Sequence, residues 1–240
     1  MCFQENYEMS IYPLVKRAVG FTASLAAIIV TLPFWIIAVI GIEISDPGPV
    51  FYMADRVGYK GKEFTMFKFR SMRVARTKDE KSEAGFRADS KRIFAFGAFM
   101  RKTKIDELPQ LLNVFIGNMA FVGPRPAAKD QAKITRGGKY AVANTVKPGL
   151  TGPAALYDYI YGDSVEDPEK YELTVLPTRL ELEAYYPGKM SAAYDLKMIW
   201  YTVVCICCSV AAKRPEKILA ELTSAVETPT AAKEGVTVGE

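Results

Sequence analysis

The chain has 240 residues, 50% of them hydrophobic, and a formal net charge of +4. This length permits one large domain or two small ones with a sizeable core. Histidine is absent, which excludes the Ser/His/Asp arrangement and most zinc sites, so any acid/base or nucleophilic chemistry falls to Asp, Glu, Lys or Tyr. Positive charge is concentrated in residues 55–104, with 15 Lys and Arg against 6 Asp and Glu. Such a region suits a phosphate-rich ligand, an anionic membrane face or duplex DNA.

An uncharged run covers residues 18–42. Its 25 residues exceed the roughly 20 that cross a hydrocarbon core, so membrane insertion is expected. Lys16 and Arg17 precede the run and place its N-terminal flank in the cytoplasm. Pro33 predicts a kink or a break, and Thr31 could bond a freed carbonyl. A kinked span and a re-entrant helix both remain open, and the charge rule favours re-entry because a span would place the basic region outside.

The next residues predict a small β structure and a helix at the membrane surface. Residues 50–53 and 63–71 are β-rich runs around the turn residues Gly58 and Gly61, as in a short hairpin or small sheet. Residues 76–92 are polar and predict a surface loop. The segment "RIFAFGAFMRKT", residues 92–103, predicts a helix in the core or at the lipid headgroups, and its basic ends favour the headgroups.

The C-terminal part contains a second apolar run. Residues 198–212 lack charge but number only 15, which is short for a span and predicts a buried or interfacial helix. Cys205, Cys207 and Cys208 lie inside it without metal spacing and are interpreted as reduced packing residues. We expect an anchor segment at 1–45, a cytoplasmic domain at 46–212, for which the motifs described below imply catalysis, and a disordered tail at 213–240.

Two adjacent carboxylates stand in the segment "TKIDELPQLL", residues 103–112. Thr103 with Asp106 resembles a capping box, and Pro109 is tolerated in a first helical turn, so Asp106 and Glu107 could simply open a helix. The alternative is that the pair performs chemistry. A helical stripe of apolar residues follows, namely Leu108, Leu111, Leu112 and Phe115.

Several cations could surround this acid pair and bind an anionic ligand. Taken singly, each could equally be a solvated side chain or an ion-pair partner. A guanidinium held on a rigid turn suits bidentate contact with a phosphate or nucleobase. The candidates are Lys68 and Arg70 at alternate positions of a predicted strand, Arg101 before the acid pair, Arg125 between Pro124 and Pro126, and Lys147 beside a Pro-Gly turn.

The order of these motifs resembles a known family. "KR" before a proline-containing apolar helix, "FKFRSM", "RKTKIDELPQLLNVFIGNMAFVGPRP", "KPGLTG" and a late "DLK" are similar to the bacterial sugar transferases, the small, single-domain monotopic polyprenyl-phosphate phosphoglycosyl transferases. The resemblance covers roughly residues 12–212. It implies an α+β, mainly helical monotopic membrane protein with a re-entrant helix broken at Pro33, a small β-hairpin or sheet, and interfacial amphipathic helices.

The resemblance also implies a reaction. A sugar 1-phosphate passes from a UDP-sugar to undecaprenyl phosphate, releasing UMP, at the cytoplasmic face of the bacterial inner membrane. The expected nucleophile is Asp106, with Glu107 as its partner and Mg²⁺ held by both. Lys68, Arg101 and Arg125 are expected near the uridine and diphosphate. Inner-membrane lipids are the other expected partners, and no nucleic acid is expected.

The chain departs from the family pattern at a few positions. Leu32 precedes Pro33 where serine is usual, Gly20 replaces a common aspartate, and the arginine usually found after the Lys-Pro-Gly turn is missing. The sugar and the pathway are therefore open. A competing interpretation is a membrane-anchored, non-enzymatic scaffold whose basic face binds anionic lipid or nucleic acid.

Overall fold

The computed structural model describes residues 11–74, 90–165 and 167–227. It is mainly helical, with two small sheets. Its helices are α1 (Tyr12–Ser45), α2 (Ala95–Thr103), α3 (Gln110–Ile116), α4 (Ala132–Thr135), α5 (Pro153–Ile160), α6 (Pro168–Thr174), α7 (Leu176–Lys189), α8 (Ala192–Val210) and α9 (Glu216–Glu227). Its strands are β1 (Phe51–Val57), β2 (Glu63–Phe69), β3 (Ala120–Val122), β4 (Ala127–Ala128) and β5 (Gly149–Thr151).

The predicted hairpin is confirmed. Strands β1 and β2 pair in antiparallel register from Phe51 opposite Phe69 to Val57 opposite Glu63. Gly61 has φ +72°, a conformation that glycine adopts without steric cost, in the turn between them. Strand β4 pairs with the other edge of β1, and β3 pairs in parallel with β5 in a separate sheet.

The β3–β5 pair holds together the segments "FVGPRP", residues 121–126, and "KPGLTG", residues 147–152. Gly123 donates to the carbonyl of Thr151, and Gly149 donates to that of Pro124. A Cβ on either glycine would collide with the backbone of the facing segment. Glycine is therefore required here for close approach of the two chains, and this approach fixes the turn that carries Arg125.

The largest apolar core joins helices α5, α7, α8 and α9. Tyr186 of α7 and Met198 of α8 are fully buried in it. Helix α9 lies in the region for which a disordered tail is predicted, but Ile218 and Leu222 are buried in the same core. This part of the prediction was wrong, because these two side chains are one helical turn apart and suffice to dock a short amphipathic helix. Residues 228–240 lie outside the described part.

Helix α1 is continuous through Pro33, so the predicted break in helical structure at Pro33 is absent. Thr31 bonds back to the helix as expected, but its hydroxyl donates to the carbonyls of Ala27 and Ile28 rather than to the one freed by the proline. The helix has 34 residues, about 51 Å at 1.5 Å per residue. Within the described residues, α1 and α8 are the two helices long and apolar enough to cross a membrane.

The two ends of α1 pack on the same folded body. Its buried residues are Gly20, Ser24, Ala38 and Ile42, with none between Ser24 and Ala38. Near the start, Arg17 donates to the carbonyls of Val114 and Phe115 at 2.8 Å each, which satisfies orphan carbonyls at the end of α3. After the far end, Asp46 pairs with Arg70.

The other predicted amphipathic segments are helical. Helix α2 buries Gly97 and Met100 while Phe99 is exposed. Helix α8 has 19 residues, longer than the uncharged run, and several of its large apolar side chains face outward. Of the surface loop predicted at residues 76–92, residues 76–89 lie outside the described part of the chain, and residues 90–92 form a short 3₁₀ turn.

Candidate active site

The acid pair occupies a 3₁₀ turn, Ile105–Glu107, between α2 and α3. The predicted capping box is absent, because the Thr103 hydroxyl donates to the carbonyls of Phe99 and Met100 instead. Helix α3 has Pro109 at its N-cap and no side-chain cap. Lys104, with φ +58°, ends α2 and turns the chain into this segment. The carboxylates are therefore available for a role other than capping.

Asp106 is buried, and one of its carboxylate oxygens lacks a hydrogen-bond partner among the described residues. The residue is 4% exposed, and the oxygen in question is Oδ1. Burial, followed by the negative charge of Glu107, raises its pKa to about 6, against the opposing charges of Lys68 and Lys104. An orphaned buried carboxylate oxygen is costly in a folded protein, and such atoms are concentrated where they meet a ligand, metal or reacting group.

Glu107 has a different environment one residue later. Its Oε1 accepts a hydrogen bond from the Nζ of Lys68 at 2.9 Å. Burial acts to raise the pKa of Glu107, but the charges of Lys68 and Lys104 outweigh burial and hold that pKa well below its usual range. Glu107 is thus a stable anion, while Asp106 ionises closer to neutrality.

Three cations converge on this pair from β2 and from the end of α2. Lys68 extends from β2, Lys104 follows α2, and Arg101 lies in the last turn of α2. The charges of all three lower the pKa of Asp106. The Nζ of Lys104 also lies 4.1 Å from the ring centroid of Tyr159, a cation–π contact that fixes its position.

Arg125 is placed by the turn after β3, as predicted. Its guanidinium lies 3.4 Å from Oδ2 of Asp158, and its side chain is 44% exposed. Its backbone carbonyl accepts a hydrogen bond from Arg136. Burial acts to raise the pKa of Asp158, but the charges of Arg125 and Arg179 keep that pKa below its usual range. Arg125 therefore faces solvent with one side of its guanidinium held by a carboxylate.

Lys68, Lys104, Glu107 and Arg125 border a cavity of about 320 Å³, whereas Arg101 and Asp158 do not line it. Asp106 does not line its wall but is buried beside Glu107, which does. Thr151 and Thr202, which also line it, are hydrogen-bonded to each other at 2.6 Å. The charged and proline residues that line it are Arg56, Lys68, Lys104, Glu107, Arg125 and Pro126.

Besides Asp106 and Arg101, three further predicted site residues do not line the cavity. Arg70 follows the last residue of β2, is 4% exposed, and is held by Asp46 and by the carbonyl of Pro49. Lys147 is half-buried near Arg17, and burial together with the charge of Arg17 lowers its pKa. The Pro124 carbonyl accepts a hydrogen bond from the backbone N–H of Gly149. These residues support the scaffold of the site and do not border the cavity.

Sequence reasoning missed three groups at the site. Lys104 belongs to the basic run before the acid pair and could have been found there. Arg56 borders the cavity, and its buried Nε has no hydrogen-bond partner among the described residues. Asp158 lies on α5, and no pattern in the sequence identifies it as a partner of Arg125.

The acid pair fits a magnesium ion. Among the described residues no group of three His, Cys, Asp or Glu side chains could hold a metal. Magnesium, however, is commonly held by one or two carboxylates together with substrate phosphates. The orphaned Oδ1 of Asp106 and the neighbouring carboxylate of Glu107 supply that donor set.

A family model described as bacterial sugar transferase matches residues 11–209. The chain belongs to the bacterial sugar transferase family. The resemblance inferred from the motifs is therefore confirmed.

Relatives of this family member differ in length. A UDP-glucose:undecaprenyl-phosphate glucose-1-phosphate transferase of Xanthomonas campestris pv. campestris is 37% identical over 176 residues, which cover 72% of this chain and 34% of the relative. A protein of the same name from Escherichia coli (strain K12) is 32% identical over 195 residues, covering 79% of this chain and 39% of the relative. The Exopolysaccharide production protein PSS of Rhizobium leguminosarum bv. phaseoli is 34% identical over 199 residues, covering 80% of this chain and 94% of the relative. The chain thus spans little more than a third of the first two relatives.

Proposed function

We propose that the chain transfers a sugar 1-phosphate from a UDP-sugar to undecaprenyl phosphate, forming an undecaprenyl-diphosphate sugar and UMP. The observation that carries this proposal is Asp106, a buried carboxylate with an orphaned oxygen beside a cation-lined cavity. The names of the Xanthomonas and Escherichia relatives describe this reaction with UDP-glucose. The name of the Rhizobium relative places that protein in exopolysaccharide production.

The cavity has the charge that a nucleotide diphosphate requires. Lys68, Lys104 and Arg125 border it from three different segments of the chain, and each supplies a positive charge to a diphosphate bound there. Arg125 is held by Asp158 on one side, and its planar guanidinium can donate two parallel hydrogen bonds to phosphate oxygens. Arg101 contributes its charge from the last turn of α2.

The chemistry follows from Asp106 as the nucleophile. One of its carboxylate oxygens attacks the phosphorus that bears the sugar, an O–P bond forms, and the bond to the UMP oxygen breaks, with UMP leaving as the anion. A phosphate oxygen of the acceptor then attacks the same phosphorus and releases the free carboxylate. The step requires the Asp106 side chain to turn from its buried position toward the cavity. Fixed cations stabilise the charge that spreads over the phosphoryl oxygens.

Magnesium is the cofactor that we assign to this site. Asp106 and Glu107 would hold it, and it would supply charge neutralisation at the phosphoryl group. Glu107 remains ionised at all ordinary pH values because Lys68 and Lys104 stabilise its charge. It therefore offers an oxygen ligand without competition from protons.

The proposal places the reaction at the cytoplasmic face of a bacterial inner membrane. The middle of α1, between Ser24 and Ala38, buries none of its side chains and exposes large apolar ones, among them Leu25, Ile29, Val30 and Phe34. We infer that this middle segment enters the bilayer while both helix ends stay on the cytoplasmic side. The acceptor phosphate then lies at the depth of the active site, and its tail stays in the lipid.

The test is UMP release by the full chain in detergent micelles with Mg²⁺, undecaprenyl phosphate and UDP-glucose. We expect release by the wild type and its loss in Asp106→Asn, which keeps the shape of the side chain but removes the nucleophilic charge. Asp55→Asn is the matched control, because Asp55 is an exposed carboxylate on β1, and full release is expected from it. Other UDP-sugars tested in the same assay identify the donor.

Mass spectrometry of protein incubated with donor alone tests the covalent step. A sugar-phosphate adduct on residue 106 is expected in the wild type. Undiminished UMP release by Asp106→Asn would exclude that residue as the nucleophile. Absence of both UMP release and adduct with every UDP-sugar would favour the scaffold that binds anionic lipid.

A further inference from the structure

Strand β2, which carries Lys68, lies at the edge of its sheet. The strands of this sheet lie in the order β2-β1-β4, so among the described residues β2 has β1 on one side and no strand on the other. The backbone N–H and C=O groups on a free edge need partners from elsewhere in the protein. The group that supplies these partners also determines where Lys68 lies relative to the acid pair.

Asn113 of helix α3 supplies them with its side-chain amide. Its Oδ1 accepts a hydrogen bond from the backbone N–H of Phe67 at 3.0 Å, and its Nδ2 donates to the carbonyl of Thr65 at 2.8 Å. A carboxamide offers an acceptor and donors together, whereas an ionised carboxylate offers acceptors alone. The amide therefore makes the two bonds that a neighbouring strand would otherwise make.

The position of Asn113 is itself fixed. The residue is 0% exposed, and its α3 begins three residues after Glu107. Its own carbonyl accepts hydrogen bonds from three successive backbone N–H groups after the helix, those of Gly117, Asn118 and Met119. Asn113 thus connects the strand of Lys68 to the helix that follows the acid pair.

The two bonds from Asn113 lie directly before Lys68 in the strand. Successive side chains of a strand point to opposite faces, so Met66 and Lys68 share one face, and both border the cavity. The Nζ of Lys68 lies 2.9 Å from Oε1 of Glu107. A lysine side chain is long and flexible, so a single ion pair holds its ammonium group weakly unless the backbone is also held.

We propose that Asn113 is a positioning residue that acts through Lys68. Its amide holds β2 against α3, so that the Lys68 ammonium stays beside Glu107 and faces the diphosphate of the bound donor. Asn113 does not line the cavity and touches no substrate. The inference rests on the proposed function, because that function gives Lys68 its role, and it adds the residue on which the place of Lys68 depends.

A double-mutant cycle separates this role from general support of the fold. The kcat/KM for UDP-glucose is measured by UMP release in micelles for Asn113→Leu, Lys68→Met and the double variant. Leucine has about the shape of asparagine but makes neither hydrogen bond. We expect Asn113→Leu to lower kcat/KM about tenfold in the wild type, and less than about twofold when Lys68 is already methionine, because residues that act as a unit are not additive.

A second variant and two controls complete the experiment. Asn113→Ser, whose shorter side chain leaves room for water beside the strand, takes the place of Asn113→Leu in the cycle if the leucine variant does not fold. Asn118→Leu changes an exposed amide just after α3. Leu222→Ala removes a buried side chain from the core around α9, a different cluster from that of Met66. Both controls should keep the wild-type kcat/KM.

Three results would overturn the inference. The first is a kcat/KM that the Asn113 variant leaves unchanged. The second is a tenfold loss that persists in the Lys68→Met background, which would show that Asn113 does not act through Lys68. The third is an equal loss in Leu222→Ala, which would assign the effect to stability alone. These results leave the proposed function standing, whereas a wild-type chain without UMP release would refute that function, and the inference with it.

Discussion

Asp106 and Glu107 are adjacent carboxylates in opposite electrostatic states. Asp106 has its pKa raised to about 6 by burial and by Glu107. Glu107 has its pKa held low by Lys68 and Lys104. A nucleophilic oxygen without a hydrogen-bond partner among the described residues, such as Oδ1 of Asp106, keeps its lone pairs free, whereas a metal ligand benefits from permanent charge. The two environments thus match the two roles proposed for the pair.

The variants Asp106→Asn and Glu107→Gln each remove one carboxylate charge, and their stabilities should change in opposite directions at pH 7.5 without Mg²⁺. The pKa of Asp106 is higher when folded, so its ionisation opposes folding as the pH rises from about 4 to 6. Asp106→Asn should therefore stabilise the chain by ~2–3 kcal/mol, or ~5–10 °C in Tm. Glu107 has a lower pKa when folded, so its charge stabilises the native state above its unfolded pKa. Glu107→Gln should lower Tm.

Thermal unfolding in micelles at pH 7.5 and pH 4 measures both effects. The gain of Asp106→Asn should vanish at pH 4, where the wild-type Asp106 is already protonated. Shifts of the same sign for both variants at pH 7.5 would contradict the assigned environments.

The 3₁₀ turn with the acid pair and its neighbours show which site residues can be identified from the sequence alone. The acid pair and Lys68 were found because their types and spacing fit phosphate chemistry, and Arg125 was found because two prolines flank it. Arg70 was expected beside Lys68, but β2 ends at Phe69, and the guanidinium turns toward Asp46. An ion pair across 24 positions leaves no periodic signal, so this difference was not visible in the sequence.

At the scale of elements, a network of hydrogen bonds and ion pairs between helices holds the turn that carries Arg125. The Tyr171 hydroxyl donates to Asp158 at 2.6 Å, and Arg179 donates to that hydroxyl at 2.7 Å. From α7, Glu183 accepts from Arg136 at 2.5 Å. Arg136 in turn donates to the Arg125 carbonyl, so α5, α6 and α7 together orient one arginine. The resulting geometry is a property of the assembled helices and not of any one motif.

Asp158 should act as a positioning residue for Arg125. Asp158→Asn removes the charge that holds the guanidinium, so the KM for the UDP-sugar should rise about fivefold, a modest change because the exposed part of the pair is screened by solvent. The kcat should change less than the KM. Glu169→Gln, an exposed carboxylate change on α6, is the control and should have no effect.

Steady-state kinetics with the identified donor measure this split. A fall in kcat with an unchanged KM would indicate that Asp158 does not position Arg125 for donor binding. An equal effect of Glu169→Gln would indicate that only the net charge of the acidic region matters.

Sequence patterns predicted the hairpin but missed helix α9 and misplaced a helix start. The hairpin follows from β-rich runs and two glycines that are close in sequence. Helix α9 was missed because Ile218 and Leu222 are its only fully buried residues, and their partners lie on α5 and α7. The capping box was wrong because Thr103 ends one helix instead of starting the next. Long-range packing decided both outcomes.

At the scale of the whole molecule, α1 is fastened to the catalytic body at both ends. Lys16 contacts Asp195 at 2.7 Å and the Val122 carbonyl at 2.8 Å, while Asp46 pairs with Arg70 beyond the other end. The helix is about 51 Å long, well beyond the ~30 Å hydrocarbon thickness. A straight span between these two attachments would place parts of one folded body on opposite sides of a bilayer.

Re-entry therefore predicts that both flanks of α1 face the cytoplasm. In a chain with its native cysteines replaced by serine, Ile11→Cys and Pro47→Cys should both resist an impermeant thiol reagent in intact cells and both react in inverted membrane vesicles. Val30→Cys, at the exposed middle of α1, should react in neither because it lies in lipid. Reaction of Pro47→Cys in intact cells would replace re-entry with a true span. It would also move the basic region after β1 to the outer face, against the distribution of positive charge that membranes impose.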